Sequence, residues 1–362
     1  MKYSLNREGH EAAYLQLYRL VREDIVKGLI PFGAKLPSKR TVADEIGVST
    51  VTVEHAYALL SDEGYIEPRE RSGYFVVFRN GDGFAATSAA KEFSNDFSEP
   101  RDAPDSDFPF STLAKTMRAV ISEYGQRILT KSPNKGTLEL RGAIRDYLER
   151  SRGIFTTVDR IVLGSGSEYL YTLIVELLGR GMVFGIESPS YKKIEEVYRA
   201  SEVTLEKLPL GADGIESSAL SSSSAQVLHI SPYRSFPSDV SASASKRHEY
   251  IRWASRSGRI IIEDDFQSEF SVSTKPEETL FSITDKDNVI YMNTFSKTIS
   301  PALRVGYMVL PKELSERFSE RLGFYSCTVP TFDQLVLARL IAGGDFERHI
   351  NRVRRRKRRE LQ

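Results

Sequence analysis

One lysine stands in a setting that suits covalent chemistry with a carbonyl compound. Lys297 follows the apolar run Val289-Ile290-Tyr291-Met292, within Asn293-Thr294-Phe295-Ser296-Lys297-Thr298-Ile299-Ser300-Pro301, and Arg304 comes shortly after. An amine flanked by hydroxyls and followed by a guanidinium offers a Schiff-base nucleophile, donors for phosphate oxygens and a cation against phosphate charge. That is the set a pyridoxal phosphate site requires. About thirty residues earlier, Ile260-Ile261-Ile262 runs into Glu263-Asp264-Asp265-Phe266. A buried strand thus ends in carboxylates, one of which can sit against a pyridine nitrogen and keep it protonated. Asp264 is the first choice and Asp265 its rival. Earlier still, Leu163-Gly164-Ser165-Gly166-Ser167-Glu168 joins a strand to a helix, which turns backbone N–H groups and a helix dipole toward an anion. It is not a dinucleotide fingerprint, because G-x-G-x-x-G is absent.

These residues need a scaffold, and the pattern around them supplies one. Helical stretches such as residues 138–150 and 168–178 alternate with short apolar runs at 161–163, 182–186, 227–230, 260–262, 289–292 and 305–310. The alternation predicts an α/β domain with a mostly parallel sheet covered on both faces.

The first part of the chain reads differently. Tyr14, Tyr18, Val21 and Ile25 recur at helical spacing until Gly28 and Pro31. Ser38 can cap a short helix that Gly47 breaks, and Ser49 can cap a third helix that ends at Gly64. Two strands, 65–67 and 74–77, then flank the polar tip Arg69-Glu70-Arg71-Ser72-Gly73. Helix, helix, tight turn, helix and hairpin is the order of a winged helix-turn-helix, whose third helix enters the major groove of DNA while the hairpin lies along the backbone. Joint placement of Arg40, Arg69 and Arg71 at a helix start and a wing argues against chance surface charge. Periodicity disappears from Arg79 to Asp107, where Gly, Ser, Pro and Asp dominate, so the expected layout is residues 1–78, a flexible linker over 79–107, and a second domain over 108–362.

Composition narrows the function classes. At 362 residues, 40% hydrophobic and 27% charged, the chain has no apolar run of the ~18 residues needed to cross a bilayer, and its first residues carry no secretory pattern. A cytoplasmic location is expected. The single cysteine, Cys327, excludes an intrachain disulfide, and five histidines show no zinc-ligand spacing. Net charge is +1, yet the stretch from Glu347 to Glu360 holds eight basic residues against two acidic ones, which leaves the rest acidic by five. Bulk charge therefore gives no case for DNA binding. The terminal arginine run reads as an exposed helical face rather than a nucleic-acid tail.

The wording Leu36-Pro37-Ser38-Lys39-Arg40-Thr41-Val42-Ala43-Asp44-Glu45-Ile46-Gly47-Val48-Ser49-Thr50-Val51-Thr52-Val53, with Tyr57-Ala58-Leu59-Leu60-Ser61-Asp62-Glu63-Gly64-Tyr65-Ile66 behind it, resembles the GntR-type winged helix over residues 14–77. The resemblance implies that Ser38, Lys39 and Arg40 touch phosphates, that Ser49, Thr50 and Thr52 open the recognition helix, and that Arg69, Arg71 and Gly73 form the wing tip. Many members carry arginine where Thr50 stands, and threonine lacks the bidentate fork that reads guanine, so a different operator is expected.

The later stretches resemble the fold type I aminotransferase family, and the fusion resembles the MocR regulators over essentially the whole chain. By that resemblance Lys297 holds pyridoxal 5′-phosphate as an aldimine, Asp264 faces the ring nitrogen, and Gly166, Ser167 and Glu168 line the phosphate loop. Thr294, Ser296 and Arg304 complete the phosphate site, and Tyr191, in Glu187-Ser188-Pro189-Ser190-Tyr191, stacks on the ring. Three departures stand out. Phe266 replaces a tyrosine that bonds the 3′ oxygen, Lys131 replaces a tyrosine that reaches a partner's phosphate, and the sequence stops at Gln362, within a basic helix leading toward the small domain. The expected fold is thus a winged helix-turn-helix plus an αβα transferase-like domain, incomplete at its C-terminus. The leading expectation is a homodimeric, pyridoxal-phosphate-responsive regulator of operator DNA, with the cofactor or its aldimine with an amino acid as effector. An aminotransferase with a DNA-binding appendage and a constitutive DNA binder with a decayed sensor are the alternatives.

Overall fold

A computed structural model of the chain describes residues 3, 5, 11–70, 72–79, 108–256, 258–266, 268–271 and 278–360. Two compact units, Met1–Ser98 and Glu99–Gln362, divide it. Their boundary falls in the stretch expected to be a linker, which beyond Arg79 lies outside the described residues.

In the first unit α1 (Ala13–Val26), α2 (Lys39–Ile46) and α3 (Thr50–Asp62) precede the antiparallel strands β1 (Ile66–Arg69) and β2 (Gly73–Val76). Each helix buries its apolar stripe in one shared core: Leu17, Val21 and Ile25 from α1, Val42 from α2, and Val53, Tyr57 and Leu60 from α3. Ser38 and Ser49 cap α2 and α3, their Oγ atoms accepting the Thr41 and Thr52 N–H groups at 3.1 Å. Gly47 (φ 68°) closes α2 in the left-handed conformation that makes the tight turn. The hairpin is tied through its backbone to the segment between α1 and α2, with Leu36 N–H donating to Tyr74 C=O and Val76 N–H to Ala34 C=O, both at 2.9 Å.

The second unit begins with α4 (Phe110–Tyr124) and α5 (Leu138–Arg152), followed by β3 (Ile161–Gly164), α6 (Ser167–Leu178), β4 (Val183–Ser188), α7 (Lys192–Ala200), β5 (Thr204–Gly211) and β6 (Gly214–Ile215). Then come α8 (Ser217–Ser222), β7 (Val227–Ile230), α9 (Ala244–Ala254), β8 (Ile260–Asp264), α10 (Leu280–Ile283), β9 (Val289–Thr294) and β10 (Gly306–Val309). Three helices end it, α11 (Lys312–Arg321), α12 (Thr331–Ala342) and α13 (Asp345–Glu360).

One sheet of order β3-β10-β9-β8-β7-β4-β5-β6 forms from these strands. The neighbours from β9 to β5 are parallel, whereas β10 runs antiparallel between β3 and β9, and β6 pairs antiparallel with β5. Alternation along the strands divides the core. Val162, Phe184, Ile186, Ile262, Ile290 and Met292 pack on one face with Leu170 and Ile174 of α6 and Phe318 of α11. Ile161, Leu163, Tyr291, Tyr307 and Val309 pack on the other with Leu140 and Ile144 of α5 and Leu337 of α12. The result is a three-layer αβα unit. Six of the eight strands lie on runs read from the sequence; β5 and β6 do not. The β5 sequence mixes Glu206, Lys207 and Pro209 among its leucines, and only Leu208 of it is fully buried, so it lacks a buried strand's apolar run. Among the described residues no helix is long and apolar enough to cross a membrane.

Candidate functional site

Open sheets of this kind bind ligands outside the carboxyl ends of their strands. Gly306 of β10 pairs with both Gly164 and Thr294, which fixes the ends of β3 and β9 in one register with the start of β10. Three segments distant in sequence therefore meet at one edge: the Ser165-Gly166-Ser167 turn into α6, the turn after Thr294, and Arg304.

Gly166 (φ 94°) lets the backbone pass close to the arginine, since a Cβ there would lie 2.8 Å from Arg304 Nη2. Arg304 itself adopts a left-handed backbone (φ 43°), which costs a non-glycine residue about 1–2 kcal/mol. Its guanidinium bonds Glu168 Oε2 at 2.7 Å, while Lys193 Nζ, from α7, bonds Oε1 at 3.0 Å. Burial pushes the Glu168 carboxyl up, but its own backbone N–H together with Lys193 and Arg304 outweighs this and holds it down at about 2. Thr294 Oγ1 lies 3.0 Å from Ser296 Oγ and accepts the Ser296 N–H at 3.2 Å. Buried Phe295, Thr298 and Ile299 anchor the turn that carries Lys297, leaving the lysine exposed.

Asp264 ends β8 and is buried, with its Oδ2 accepting the Tyr171 hydroxyl at 2.6 Å. His229 Nε2 is 3.4 Å from the same oxygen, and His229 Nδ1 is 2.7 Å from the Tyr198 hydroxyl. Burial first, then the charge of Asp264, push the Tyr171 phenol well above its ordinary value, so it stays a donor. Asp265 points to the other face of the sheet, where Arg152 pairs with it through Nε at 3.0 Å and through Nη2, and the Tyr291 hydroxyl donates at 2.7 Å. The two carboxylates thus have different surroundings: Asp265 Oδ2 is held in a buried ion pair, while its Oδ1 is buried with no hydrogen-bond partner among the described residues.

Tyr191 precedes α7, half-buried and edge-on to Phe236 with ring centroids 6.0 Å apart. Sequence reasoning missed Tyr171, His229, Tyr198 and Lys193. Of these only His229 left a signal, a lone imidazole inside the apolar strand Val227-Leu228-His229-Ile230.

On the first unit, Thr50 and Arg40 are exposed, and the Thr52 hydroxyl lies 2.9 Å from Ser49 Oγ. Lys39 Nζ bonds Glu54 of α3 at 2.6 Å, and the Arg69 guanidinium sits 4.6 Å from the Phe75 ring centroid at the wing. Gly73 (φ 101°) closes the wing, and Arg71 lies outside the described residues. Val51, which the sequence reading passed over, is 56% exposed near the start of α3, an apolar side chain suited to a thymine methyl.

Comparison with known proteins agrees with both units. The model of bacterial regulatory proteins of the gntR family matches residues 13–76, and that of aminotransferase class I and II matches residues 105–361. The chain is 31% identical over 360 residues to the uncharacterized HTH-type transcriptional regulator YdeL of Bacillus subtilis, covering 97% of this chain and 78% of that one. It is 28% identical over 379 residues to the probable rhizopine catabolism regulatory protein MocR of Rhizobium meliloti, covering 97% and 76%. Among solved structures, Pyrococcus horikoshii kynurenine aminotransferase superposes with a TM-score of 0.61 at 26% identity. That match covers 68% of this chain and 64% of the aminotransferase's length. With a gntR-type helix-turn-helix at one end and a fold type I aminotransferase domain behind it, the chain belongs to the MocR-type family of DNA-binding transcription regulators.

Proposed function

We propose that this regulator responds to pyridoxal 5′-phosphate, held in its larger unit by Lys297, and that the bound cofactor, alone or with an amino acid, alters how the winged helices engage operator DNA. One observation carries the reading: the shared register of Gly164, Thr294 and Gly306 gathers Gly166, Arg304 and the Lys297 turn at one sheet edge, with Asp264 buried on a neighbouring strand. These residues fit the group. The close approach of Gly166 to Arg304 makes a cradle that a Cβ would fill, and the Asp264 carboxylate, fixed by Tyr171, suits a protonated pyridine nitrogen. When bound, the cofactor supplies an aldehyde that condenses with amines and a ring that accepts electrons. The chain's part is to present the Lys297 amine, to hold the phosphate with Ser167, Thr294, Ser296, Arg304 and the α6 N–H groups, and to cover the ring with Tyr191.

On this reading residues 1–78 bind DNA, 79–107 act as a linker, and 108–362 bind the cofactor in a cytoplasmic homodimer, whose paired winged helices match two half-sites. A regulatory rather than catalytic role is supported by the two relatives above, which are named as regulators and resemble the chain over 97% of its length. Absorption spectra before and after borohydride, followed by assays of amino-acid turnover, test it. A lysine-bound band without turnover supports a sensor, a band with rapid turnover supports an aminotransferase, and no band supports a constitutive DNA binder.

The DNA face yields its own expectation. Arg40→Ala is expected to weaken binding about equally on unrelated duplexes and to reduce the salt slope by about one, as loss of a single phosphate contact does. Thr52→Ala is expected instead to change the preferred sequence, because a side chain at the start of the recognition helix reaches base edges. Selection from a random duplex pool checks both, and unchanged preference in Thr52→Ala would remove that residue from the reading face.

A further inference from the structure

The residues that would hold the cofactor phosphate already hold an anion, and it belongs to the chain. Glu168 is the second residue of α6, and its own backbone N–H is among the groups that lower its carboxyl pKa. Two cations from separate elements close on it: Arg304 at 2.7 Å and Lys193 at 3.0 Å. The Glu168 side chain is 24% exposed and each cation 51%, so the cluster borders solvent and can open without disturbing the core. Helix N–H groups, a guanidinium and an ammonium converging on one point are the chemistry that recognises a phosphate monoester. A carboxylate with a pKa of about 2 is ionised across the physiological range and repels a dianion entering the same cup.

We propose that Glu168 is an internal stand-in for phosphate: its carboxylate occupies the cationic cup formed by Arg304 and Lys193, and must swing away before a phosphate monoester can bind them. The backbone of Glu168 then serves the phosphate while its side chain opposes it, and Lys193 becomes a phosphate ligand absent from the sequence reading. This inference rests on the cofactor reading above.

The test uses the full chain, with Glu168→Gln keeping the size of the side chain and removing its charge. Binding of pyridoxal 5′-phosphate and of phosphate-free pyridoxal is measured by equilibrium dialysis, and inorganic phosphate is followed by thermal shift. Glu168→Gln is expected to tighten pyridoxal 5′-phosphate about tenfold, the scale of one or two partly screened ion pairs, while changing pyridoxal by less than about twofold. Phosphate is expected to raise the unfolding temperature of the variant more than that of the parent. Adding Lys193→Gln is expected to reverse most of the gain. Where the parent binds both aldehydes, equal tightening of the two, or tightening of neither, would overturn the stand-in while leaving the cofactor reading intact. If neither aldehyde bound but phosphate still favoured Glu168→Gln, the stand-in would hold and the cofactor reading would fall.

Discussion

Replacing Asp265 with alanine is expected to lower folding stability by about 3–5 kcal/mol, because it strands a cation in the protein interior. The Arg152 side chain is only 8% exposed and pairs with Asp265, whose own side chain is fully covered. Losing the carboxylate also removes the acceptor of the buried Tyr291 hydroxyl. Among the described residues Asp264 has no buried arginine or lysine of this kind; its Oδ2 meets the Tyr171 hydroxyl and the His229 ring. Asp264→Ala is therefore expected to cost less stability and to impair cofactor retention instead. Thermal unfolding of both full-length variants, followed by dialysis against pyridoxal 5′-phosphate, separates the two roles. An Asp265→Ala chain as stable as its parent would show that the Arg152 pair is not the anchor of this face of the sheet.

Lys297→Ala is expected to abolish the lysine-bound visible band entirely, since no other amine occupies the turn after β9. The fold should be nearly indifferent to it. Lys297 is exposed, and substitutions at such positions usually stay within about 0.5 kcal/mol. Its DNA binding in the absence of cofactor is expected to equal the parent's, because the DNA-reading residues belong to the other compact unit. Borohydride reduction followed by peptide mass measurement checks the assignment, and a cofactor mass on any lysine other than Lys297 in the parent would sink it.

How much of this was legible in the sequence depends on whether the information was local. The winged helix-turn-helix was, because its signals lie within a few residues of the structures they make: Ser38 and Ser49 before their helices, Gly47 at the turn, Gly73 at the hairpin. The strands that carry Gly164, Asp264 and Thr294 were legible too, because they are buried on both faces and read as unbroken apolar runs. Partners across elements were not. Tyr171 meets Asp264 over 93 residues of sequence, Arg152 meets Asp265 over 113, and Arg304 meets Glu168 over 136. Nothing in the local pattern of Asp264-Asp265 tells which carboxylate faces which side of the sheet. The Tyr171 and Arg152 side chains, each contributed by a helix on its own face, make that distinction. The same limit hid Lys193, whose role arises only when α7 is laid beside α6.

The most direct test of a cofactor-responsive regulator measures both units of one chain at once. A duplex chosen by the full chain from a random pool is labelled, and its anisotropy is followed while pyridoxal 5′-phosphate is titrated in and the lysine-bound absorbance recorded. DNA affinity is expected to shift several-fold over the concentrations at which the band grows, with no shift in Lys297→Ala. A band that saturates while DNA affinity stays constant would contradict the coupling of cofactor to operator.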